Sequence, residues 1–312
     1  MLDLFAKRNF SFEKIPDLTG KVAIITGSST GIGKVCAKEM ARKGCTVVLA
    51  CRNQEKTQTV IDEIKTETGN QNVEFIALDL MKLDSVTKFA QEFKSRYNQL
   101  NILLNNAGVM VCPFGLSKDG IETQFATNHV AHYYLTMLLL PVLEQSGPSR
   151  IVNVSSIAHK IPFKKLNLES ISDPEKYNKM IHYAKSKTCN ILFTKELSKR
   201  LEAKGSNVYV NCNHPGSVQS ELSRHIVGPS SIGEYIYNMF CVSTQDGALT
   251  QLYLATSPEV EEKNIKAQYY VPFASPGSPT GVSTQPEALL ELWDFTEKLL
   301  KSKVDGYTGA PI

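Results

Sequence analysis

Cysteine pairs and clusters of metal-binding residues are missing from this sequence of 312 residues. Its seven cysteines are irregularly spaced, with no C-x-x-C pair, and its six histidines are scattered. These spacings argue against a disulfide framework and against a zinc site, so we expect no bound metal. An odd number of unpaired thiols fits a reducing, cytoplasmic compartment best.

Long apolar runs and blocks of like charge are also missing. The longest apolar run, over residues 135–143, is much shorter than the ~20 residues that a membrane-spanning helix requires. Asp3, Lys7 and Arg8 interrupt the apolar stretch that a secretory signal would need. With 34 basic and 31 acidic residues, the chain lacks the basic footprint of a nucleic-acid binder. We therefore expect no membrane span and no nucleic-acid partner, while peripheral contact with a membrane is left open.

The composition that is present is typical of a globular protein, with 42% apolar and 21% charged residues. We expect residues 1–20 to form an N-terminal arm that is solvated over residues 1–12, residues 21–300 a single domain and residues 301–312 a C-terminal tail. No linker is long enough to separate a second domain. Whether the chain forms a homo-oligomer is left open.

Short apolar runs alternate with helix-like stretches along most of the chain. The predicted strands are 22–26, 46–50, 73–78, 102–104, 151–154 and 208–211, with 267–273 as a candidate seventh. The predicted helices are 34–43, 53–68, 83–97, one that ends near 143, 177–201, a mixed stretch over 232–254, and 285–300. Strands that are apolar throughout are typical of a parallel sheet covered on both faces. The pattern predicts a doubly wound α/β domain, with the Pro- and Gly-rich stretch 275–284 as a loop.

Glycines cluster where the first strand meets the next helix, in Thr26-Gly27-Ser28-Ser29-Thr30-Gly31-Ile32-Gly33. Such glycines let the backbone approach a pyrophosphate at a helix N-terminus, so this turn predicts a dinucleotide site. Its spacing, G-x-x-x-G-x-G, differs from the commoner G-x-G-x-x-G. A tight strand-to-helix connection without a ligand is the alternative.

The residues after the second strand bear on which dinucleotide binds. An Asp or Glu about 20 residues past the glycines holds a ribose 2′-hydroxyl, whereas a basic residue accommodates a 2′-phosphate. Here the sequence is Cys51-Arg52. Because Arg52 can bind a phosphate through two nitrogens and no carboxylate stands beside it, NADP(H) is favoured over NAD(H). The alternative is a solvated arginine at the start of a helix.

Tyr183 and Lys187 are four residues apart and lie on one face of a predicted helix. An ammonium group beside a phenol lowers the pKa of the phenol, which gives an acid/base group for a carbonyl oxygen. Ser156 follows a predicted strand at the edge where open α/β sheets bind ligands, so its hydroxyl can donate to the same oxygen. An isolated Tyr and Lys at this spacing is usually a surface pair, but the joint pattern favours a catalytic site.

Together these motifs resemble the short-chain dehydrogenases/reductases, from about residue 21 to 273. The resemblance implies a Rossmann-type fold of about seven strands. It also implies a catalytic tetrad of Asn128, Ser156, Tyr183 and Lys187, in which Asn128 braces the helix and a water of the proton relay. Ser220 stands where relatives often have threonine.

The resemblance implies further contacts with the cofactor. Asp79-Leu80 looks like the adenine contact, Asn105-Asn106-Ala107-Gly108 like the segment beneath the cofactor, and Pro215-Gly216 like the turn beside the nicotinamide. The implied cofactor-binding residues are Gly27, Ser29, Thr30, Gly31, Ile32, Gly33, Arg52, Asp79, Leu80, Asn106, Ala107, Gly108, Tyr183, Lys187, Pro215, Gly216, Val218 and Ser220.

Ser156 and Tyr183 are 27 residues apart, farther than in many members of the family. The extra residues, 160–180, resemble an insertion in the branch that includes the retinol dehydrogenases and related carbonyl reductases. The loops 157–180 and 221–240 are expected to shape the substrate pocket. The apolar residues of the second loop predict a lipophilic substrate; they are Ile226, Val227, Ile236, Met239 and Phe240.

We therefore expect an NADP(H)-dependent oxidoreductase that moves a hydride between the nicotinamide and a carbonyl or alcohol group. The substrate is expected to be a small lipophilic molecule, such as a retinal-like aldehyde, a ketone or a steroid-like compound. The alternative is a catalytically silent NADP(H)-sensing or scaffold protein of the same fold, although all four catalytic positions are filled. A sugar-nucleotide epimerase or dehydratase would need a larger C-terminal domain than this chain provides.

Overall fold

A computed structural model of the protein describes residues 8–218 and 242–312. Within these ranges the strands form one sheet in the order β3-β2-β1-β4-β5-β6-β7-β8. The strands are β1 (Val22–Thr26), β2 (Thr46–Cys51), β3 (Val73–Ala77), β4 (Ile102–Asn105), β5 (Ser149–Val154), β6 (Val208–Asn213), β7 (Tyr269–Val271) and β8 (Ser275–Pro276). All neighbours pair in parallel except β7 and β8, which are antiparallel. The predicted doubly wound α/β fold is confirmed.

Helices cover both faces of this sheet. They are α1 (Gly31–Arg42), α2 (Gln54–Thr68), α3 (Leu83–Arg96), α4 (Thr123–Phe125), α5 (Ala131–Gln145), α6 (Lys179–Ala203), α7 (Thr244–Thr256), α8 (Glu259–Glu262) and α9 (Pro286–Lys303). A π-helical turn, Ala126–Val130, joins α4 to α5. Of the predicted helix over 232–254, residues 232–241 lie outside the described ranges. In the part of the chain that the structure describes, no helix has the length and apolar character needed to cross a bilayer.

The sheet separates two hydrophobic cores. Successive side chains of a strand point to opposite faces, so Ile24 packs into the core with α3, α5 and α9. Its neighbour Ile25 packs into the other core, with α1 and α7. Both side chains are fully buried. This is why the strands are apolar throughout rather than alternating.

The stretch 275–284 is not the plain loop that its composition predicts. Ser275–Pro276 forms the short edge strand β8, and Gly281–Thr284 forms a 3₁₀ turn. Proline is tolerated at this position because an edge strand does not need its N–H group on the solvent side. The described sheet therefore has eight strands where about seven were expected.

The N-terminal segment is packed against the domain, so the expectation that residues 1–12 are solvated is wrong for Phe10. Phe10 and Ile15 are buried, and the Phe10 ring meets the Tyr253 ring edge-on at 5.5 Å. At the other end of the chain, the carboxylate of Glu297 accepts hydrogen bonds from the Tyr307 hydroxyl and the Ala310 N–H group. Residues 8–20 and the C-terminal tail are thus held by apolar and hydrogen-bonding contacts. The local sequence patterns of the two segments do not predict these contacts.

Replacing Trp293 by alanine should lower the free energy of unfolding by about 3–5 kcal/mol, because a large buried side chain is removed. Trp293, on α9, meets the Tyr133 ring at 5.1 Å, and the Arg200 guanidinium lies 4.2 Å from the indole centroid. Urea denaturation measures the loss. The matched control is Leu290→Ala on the same helix, since Leu290 is 47% exposed. Equal losses for the two variants would show that α9 contributes nothing specific to the core.

Candidate active site

The site lies where the strand order reverses between β1 and β4. The chain leaves these two adjacent parallel strands toward opposite faces of the sheet, so a crevice forms at their carboxyl ends. The crevice is a cleft of about 440 Å³ in the described structure. The predicted site residues that line it are Gly27, Ser29, Thr30, Gly31, Ile32, Gly33, Asn106, Ala107, Gly108, Ser156, Tyr183, Lys187, Pro215, Gly216 and Val218.

Other predicted site residues lie beside or behind this cleft. Arg52 is exposed directly after β2, and Leu80 is buried in the core. The Asp79 carboxylate accepts a hydrogen bond from the Met81 N–H group and pairs with Lys82 at 3.0 Å. Ser220 and the predicted substrate loop 221–240, with its apolar residues, lie outside the described residues.

The glycine turn is joined tightly to the segment after β4. The Thr26 hydroxyl accepts hydrogen bonds from the N–H groups of Asn106 and Ala107, both at 2.9 Å. Gly27 has a φ of +66°, and a Cβ at this position would lie 2.9 Å from the Ala107 Cα. Glycine is therefore required here by the close approach of the two segments as well as by the backbone conformation.

The start of α1 fits the pyrophosphate of a dinucleotide. Gly31, Ile32 and Gly33, its first three residues, all line the cleft. The residue before them, Thr30, makes no side-chain capping bond to the helix. The first-turn N–H groups thus have no capping side chain, and such groups bind phosphate oxygens.

Lys187 is held by the strand behind it. Its Nζ donates to the Val154 carbonyl oxygen at 3.0 Å and lies 5.9 Å from the centroid of the Tyr183 ring. Both side chains are almost fully buried, each 3% exposed. Burial lowers the pKa of Lys187 to about 8, so its ammonium form still predominates at neutral pH. A cation is thereby fixed beside the phenol, as the spacing on the helix predicts.

The two adjacent serines after β5 have different surroundings. The Ser155 hydroxyl is buried and donates to the Lys187 carbonyl oxygen at 2.7 Å, which ties the strand to α6. Ser156 lines the cleft, and its Oγ accepts a hydrogen bond from the Ala158 N–H group at 3.2 Å. Because Oγ acts as an acceptor in that bond, its own proton can be donated to a ligand.

Asn128 lies in the π-helical turn and is fully buried. Its Oδ1 accepts from the Val109 N–H group at 2.8 Å, and its Nδ2 donates to the Val109 carbonyl oxygen at 3.0 Å. Nδ2 also donates to Ser186 Oγ on α6 at 2.9 Å. The amide thus braces the segment after β4 against the helix that carries Tyr183 and Lys187.

Four residues that line the cleft were not predicted from the sequence. Val109, Met110 and Val111 line the cleft, as does Ser217. The three residues directly follow the Asn105–Gly108 motif, so continuity along the chain was the only available signal. Gln124 is a buried residue that accepts a hydrogen bond from the Val111 N–H group. It gave no signal in the sequence because this contact depends on the fold.

Comparison with known proteins gives consistent results. A family model described as short chain dehydrogenase matches residues 21–229. Human retinol dehydrogenase 11 is 45% identical over 247 residues, which cover 78% of this chain and 75% of that protein. Human retinol dehydrogenase 13 is 39% identical over 304 residues, which cover 95% of this chain and 89% of that protein.

Solved structures share the architecture. A crystal structure of an uncharacterised protein from Mycobacterium paratuberculosis has a TM-score of 0.75 and 31% identity, and the match covers 97% of this chain and 99% of that one. A short chain dehydrogenase from Shigella flexneri, complexed with NADP, has a TM-score of 0.64 and 24% identity, with 82% of this chain and 98% of that one covered. At this lower identity the likeness concerns the fold alone.

Proposed function

The chain belongs to the short-chain dehydrogenase/reductase family of oxidoreductases, in the branch of the retinol dehydrogenases, and from this premise we propose that it transfers a hydride between NADP(H) and a carbonyl or alcohol group of a lipophilic small molecule. One observation carries the proposal. Tyr183, Lys187 and Ser156 meet in a single cleft whose other end is an uncapped, glycine-rich helix start. A proton donor, a cation and a hydroxyl donor thus face the same space as a pyrophosphate site.

In the proposed mechanism, the nicotinamide cofactor supplies or accepts the hydride. Tyr183 donates its hydroxyl proton to the substrate oxygen in reduction and accepts a proton in oxidation. The Ser156 hydroxyl donates a hydrogen bond to the same oxygen and stabilises its developing negative charge. Lys187 favours the phenolate form of Tyr183 through its charge and is proposed to bind the nicotinamide ribose. Asn128 keeps the helix and the cleft wall in position.

The preference for NADP(H) is proposed from Arg52. It is exposed at the carboxyl end of β2, and the neighbouring Cys51 offers no carboxylate to a ribose 2′-hydroxyl. In the described ranges, its guanidinium has no carboxylate within ion-pair distance. The charge is therefore available to a 2′-phosphate, whose oxygens suit the planar guanidinium.

Arg52→Ala should weaken NADPH binding about tenfold or more, because a charge-assisted contact is lost, and should leave NADH binding almost unchanged. Titration of the cofactor's fluorescence measures both dissociation constants. The matched control is Arg96→Ala, since Arg96 is an exposed arginine on α3. If the unsubstituted protein binds the two cofactors equally, the proposed preference is refuted.

A lipophilic substrate is proposed from the mouth of the cleft. Ile157 and Met180 line it and are 48% and 41% exposed, which is unusual for large apolar side chains. Both belong to the predicted substrate loop 157–180. Measuring NADPH oxidation with aldehydes, ketones, steroids and quinones tests the proposal. Tight NADPH binding without turnover of any of these classes would favour the sensing or scaffold alternative.

A further inference from the structure

One wall of the cleft has a strained backbone. Val111 has a φ of +52°, in the left-handed region that a β-branched residue rarely adopts. It is buried, lines the cleft and belongs to the segment 109–112, which we name the cleft wall. Strain of this kind persists only where the surrounding structure fixes it, and it is concentrated at functional sites.

A buried glutamine fixes this wall. Gln124 is fully buried, and its Oε1 accepts a hydrogen bond from the Val111 N–H group at 2.8 Å. Its Nε2 donates to Tyr177 Oη and to the Lys179 carbonyl oxygen, both at 2.9 Å. The Tyr177 hydroxyl in turn donates to the Cys112 carbonyl oxygen at 2.7 Å. Two neighbouring backbone positions of the cleft wall are thus held by one side-chain network.

Gln124 is itself positioned by a cap. It lies in α4, where the Glu122 carboxylate accepts hydrogen bonds from the N–H groups of Gln124 and Phe125. The same short helical stretch continues into the π-helical turn that carries Asn128, and Asn128 binds both backbone groups of Val109. The cleft wall is therefore clamped at Val109, Val111 and Cys112 from one side.

Gln124 also bonds to a second segment beside the cleft. The Lys179 carbonyl oxygen that it contacts belongs to the first residue of α6, and the next residue, Met180, lines the cleft. One amide group therefore connects the backbone at Val111 with the backbone beside Met180. The separation of these two apolar lining residues depends on its length and on its hydrogen bonds.

We propose that Gln124 is a specificity-determining positioning residue, which sets the width of the substrate cleft between Val111 and Met180. This inference rests on the proposed function, because it takes the cleft to be a substrate site. With Gln124 in place, the cleft discriminates between slim and bulky apolar ligands. Gln124 does not touch the reacting atoms; it acts through the two lining residues.

The test compares two unreactive carboxamides, which mimic aldehydes of different width: octanamide and adamantane carboxamide. Their dissociation constants are measured by calorimetry on the NADPH-saturated protein. In Gln124→Met, which keeps the length but loses the amide, the ratio of the two constants should shift about tenfold toward the bulky ligand, a factor that corresponds to about 1.4 kcal/mol. The affinity for NADPH should stay within about twofold, since the side chain of Gln124 bonds to Val111, Tyr177 and Lys179 rather than to the glycine turn.

The matched control is Gln251→Met, because Gln251 is equally buried but lies on α7, away from the cleft wall. This variant should leave the ratio unchanged.

Val111→Gly is a second variant that relieves the backbone strain and so should fold even if Gln124→Met does not. It also removes the lining side chain, so the ratio should again shift toward the bulky ligand. In the double variant, which carries Gln124→Met and Val111→Gly, the shift of the ratio should be smaller than the two single shifts combined.

An unchanged ratio in both single variants would overturn the inference, as would a fall in NADPH affinity as large as the shift in the ratio. A wild-type protein that binds neither amide would also overturn it, because the wall would then not face a ligand of this class. These outcomes are separate from failure of the proposed function. Amide binding needs no turnover. Selectivity that depends on Gln124, without any NADPH oxidation, would therefore refute only the proposed activity. Turnover with an unchanged ratio would refute only the role of Gln124.

Discussion

Tyr183→Phe should lower the rate of single-turnover hydride transfer by about 10²–10⁴-fold, the usual contribution of a positioned acid/base group. NADPH binding should remain nearly intact, because the buried ring is kept and only the hydroxyl is lost. The expectation rests on the place of Tyr183 in the cleft, with the Lys187 Nζ 5.9 Å from its ring centroid and Ser156 in the same lining. Rapid mixing with a carbonyl substrate from the screen measures the rate, and fluorescence measures cofactor binding separately.

The control for this prediction is Tyr209→Phe. Tyr209 is a buried tyrosine on β6 that does not line the cleft; Arg150 and Lys266 lie 4.7 and 4.8 Å from its ring centroid. Loss of its hydroxyl should leave the hydride-transfer rate unchanged. If Tyr183→Phe retains most of its single-turnover rate, another group supplies the proton and the proposed mechanism must be abandoned.

Lys187→Met should damage catalysis and cofactor binding together. Removing the ammonium takes away the charge that favours the phenolate of Tyr183, so we expect a loss of turnover of about 10²–10⁴-fold. It also removes the proposed contact with the nicotinamide ribose, so NADPH binding should weaken about tenfold. The joint loss, measured as kcat and as the dissociation constant, distinguishes Lys187 from Tyr183, whose replacement affects only the first.

The stability of the cofactor-free protein should report the burial of Lys187. Its pKa is lowered by burial to about 8 from the ordinary value of 10.5. Between these pH values the unfolded chain holds a proton at Lys187 that the folded chain has released, so the free energy of unfolding rises with pH. The unfavourable burial of the ammonium is fully present below about pH 8. Relative to Lys187→Met, the wild type should gain up to about 1.4 kcal/mol per pH unit across this interval.

Lys185→Met is the matched control for the effects of Lys187→Met on hydride transfer and on NADPH binding. Lys185 is two residues earlier on the same helix, is also buried and does not line the cleft. Its replacement should leave hydride transfer and NADPH binding unchanged. If Lys185→Met reproduced the losses of Lys187→Met, the effect would belong to α6 as a whole rather than to the cation beside Tyr183.

Local patterns in the sequence were sufficient to predict the sheet and the proximity of Tyr183 and Lys187 on one helix. The apolar runs gave β1 at its observed bounds and most of the other strands to within a few residues, because a strand buried on both faces must be apolar throughout. The predicted start of α6, at residue 177, is two residues before the observed start at Lys179. Asn178 accepts hydrogen bonds from the N–H groups of Met180 and Ile181 and so begins the helix at Lys179. A cap of this kind depends on one side-chain oxygen, which apolar periodicity does not detect.

Contacts between distant segments could not be predicted in this way. The N-terminal segment mixes Phe10 and Ile15 with polar residues, so only its packing against the domain shows that it is buried. Ser155 and Ser156 are adjacent and chemically equal. They differ in the fold because the Ser155 hydroxyl donates a hydrogen bond to the backbone of α6. No motif in the sequence marks Gln124. Its role follows from hydrogen bonds of its amide to the Val111 N–H group and the Lys179 carbonyl oxygen.

The sequence by itself determined the doubly wound sheet, the glycine turn and the shared helix face of Tyr183 and Lys187. Each of these follows from interactions between residues close together in the chain, namely side-chain alternation, glycine backbone freedom and the period of the α-helix. Only the tertiary structure decided that the Ser155 hydroxyl binds the backbone of α6, how far burial lowers the pKa of Lys187, and what holds the strained wall at Val111. The physical reason is that desolvation and hydrogen bonding of a buried group depend on partners from remote segments, which are brought together only by folding.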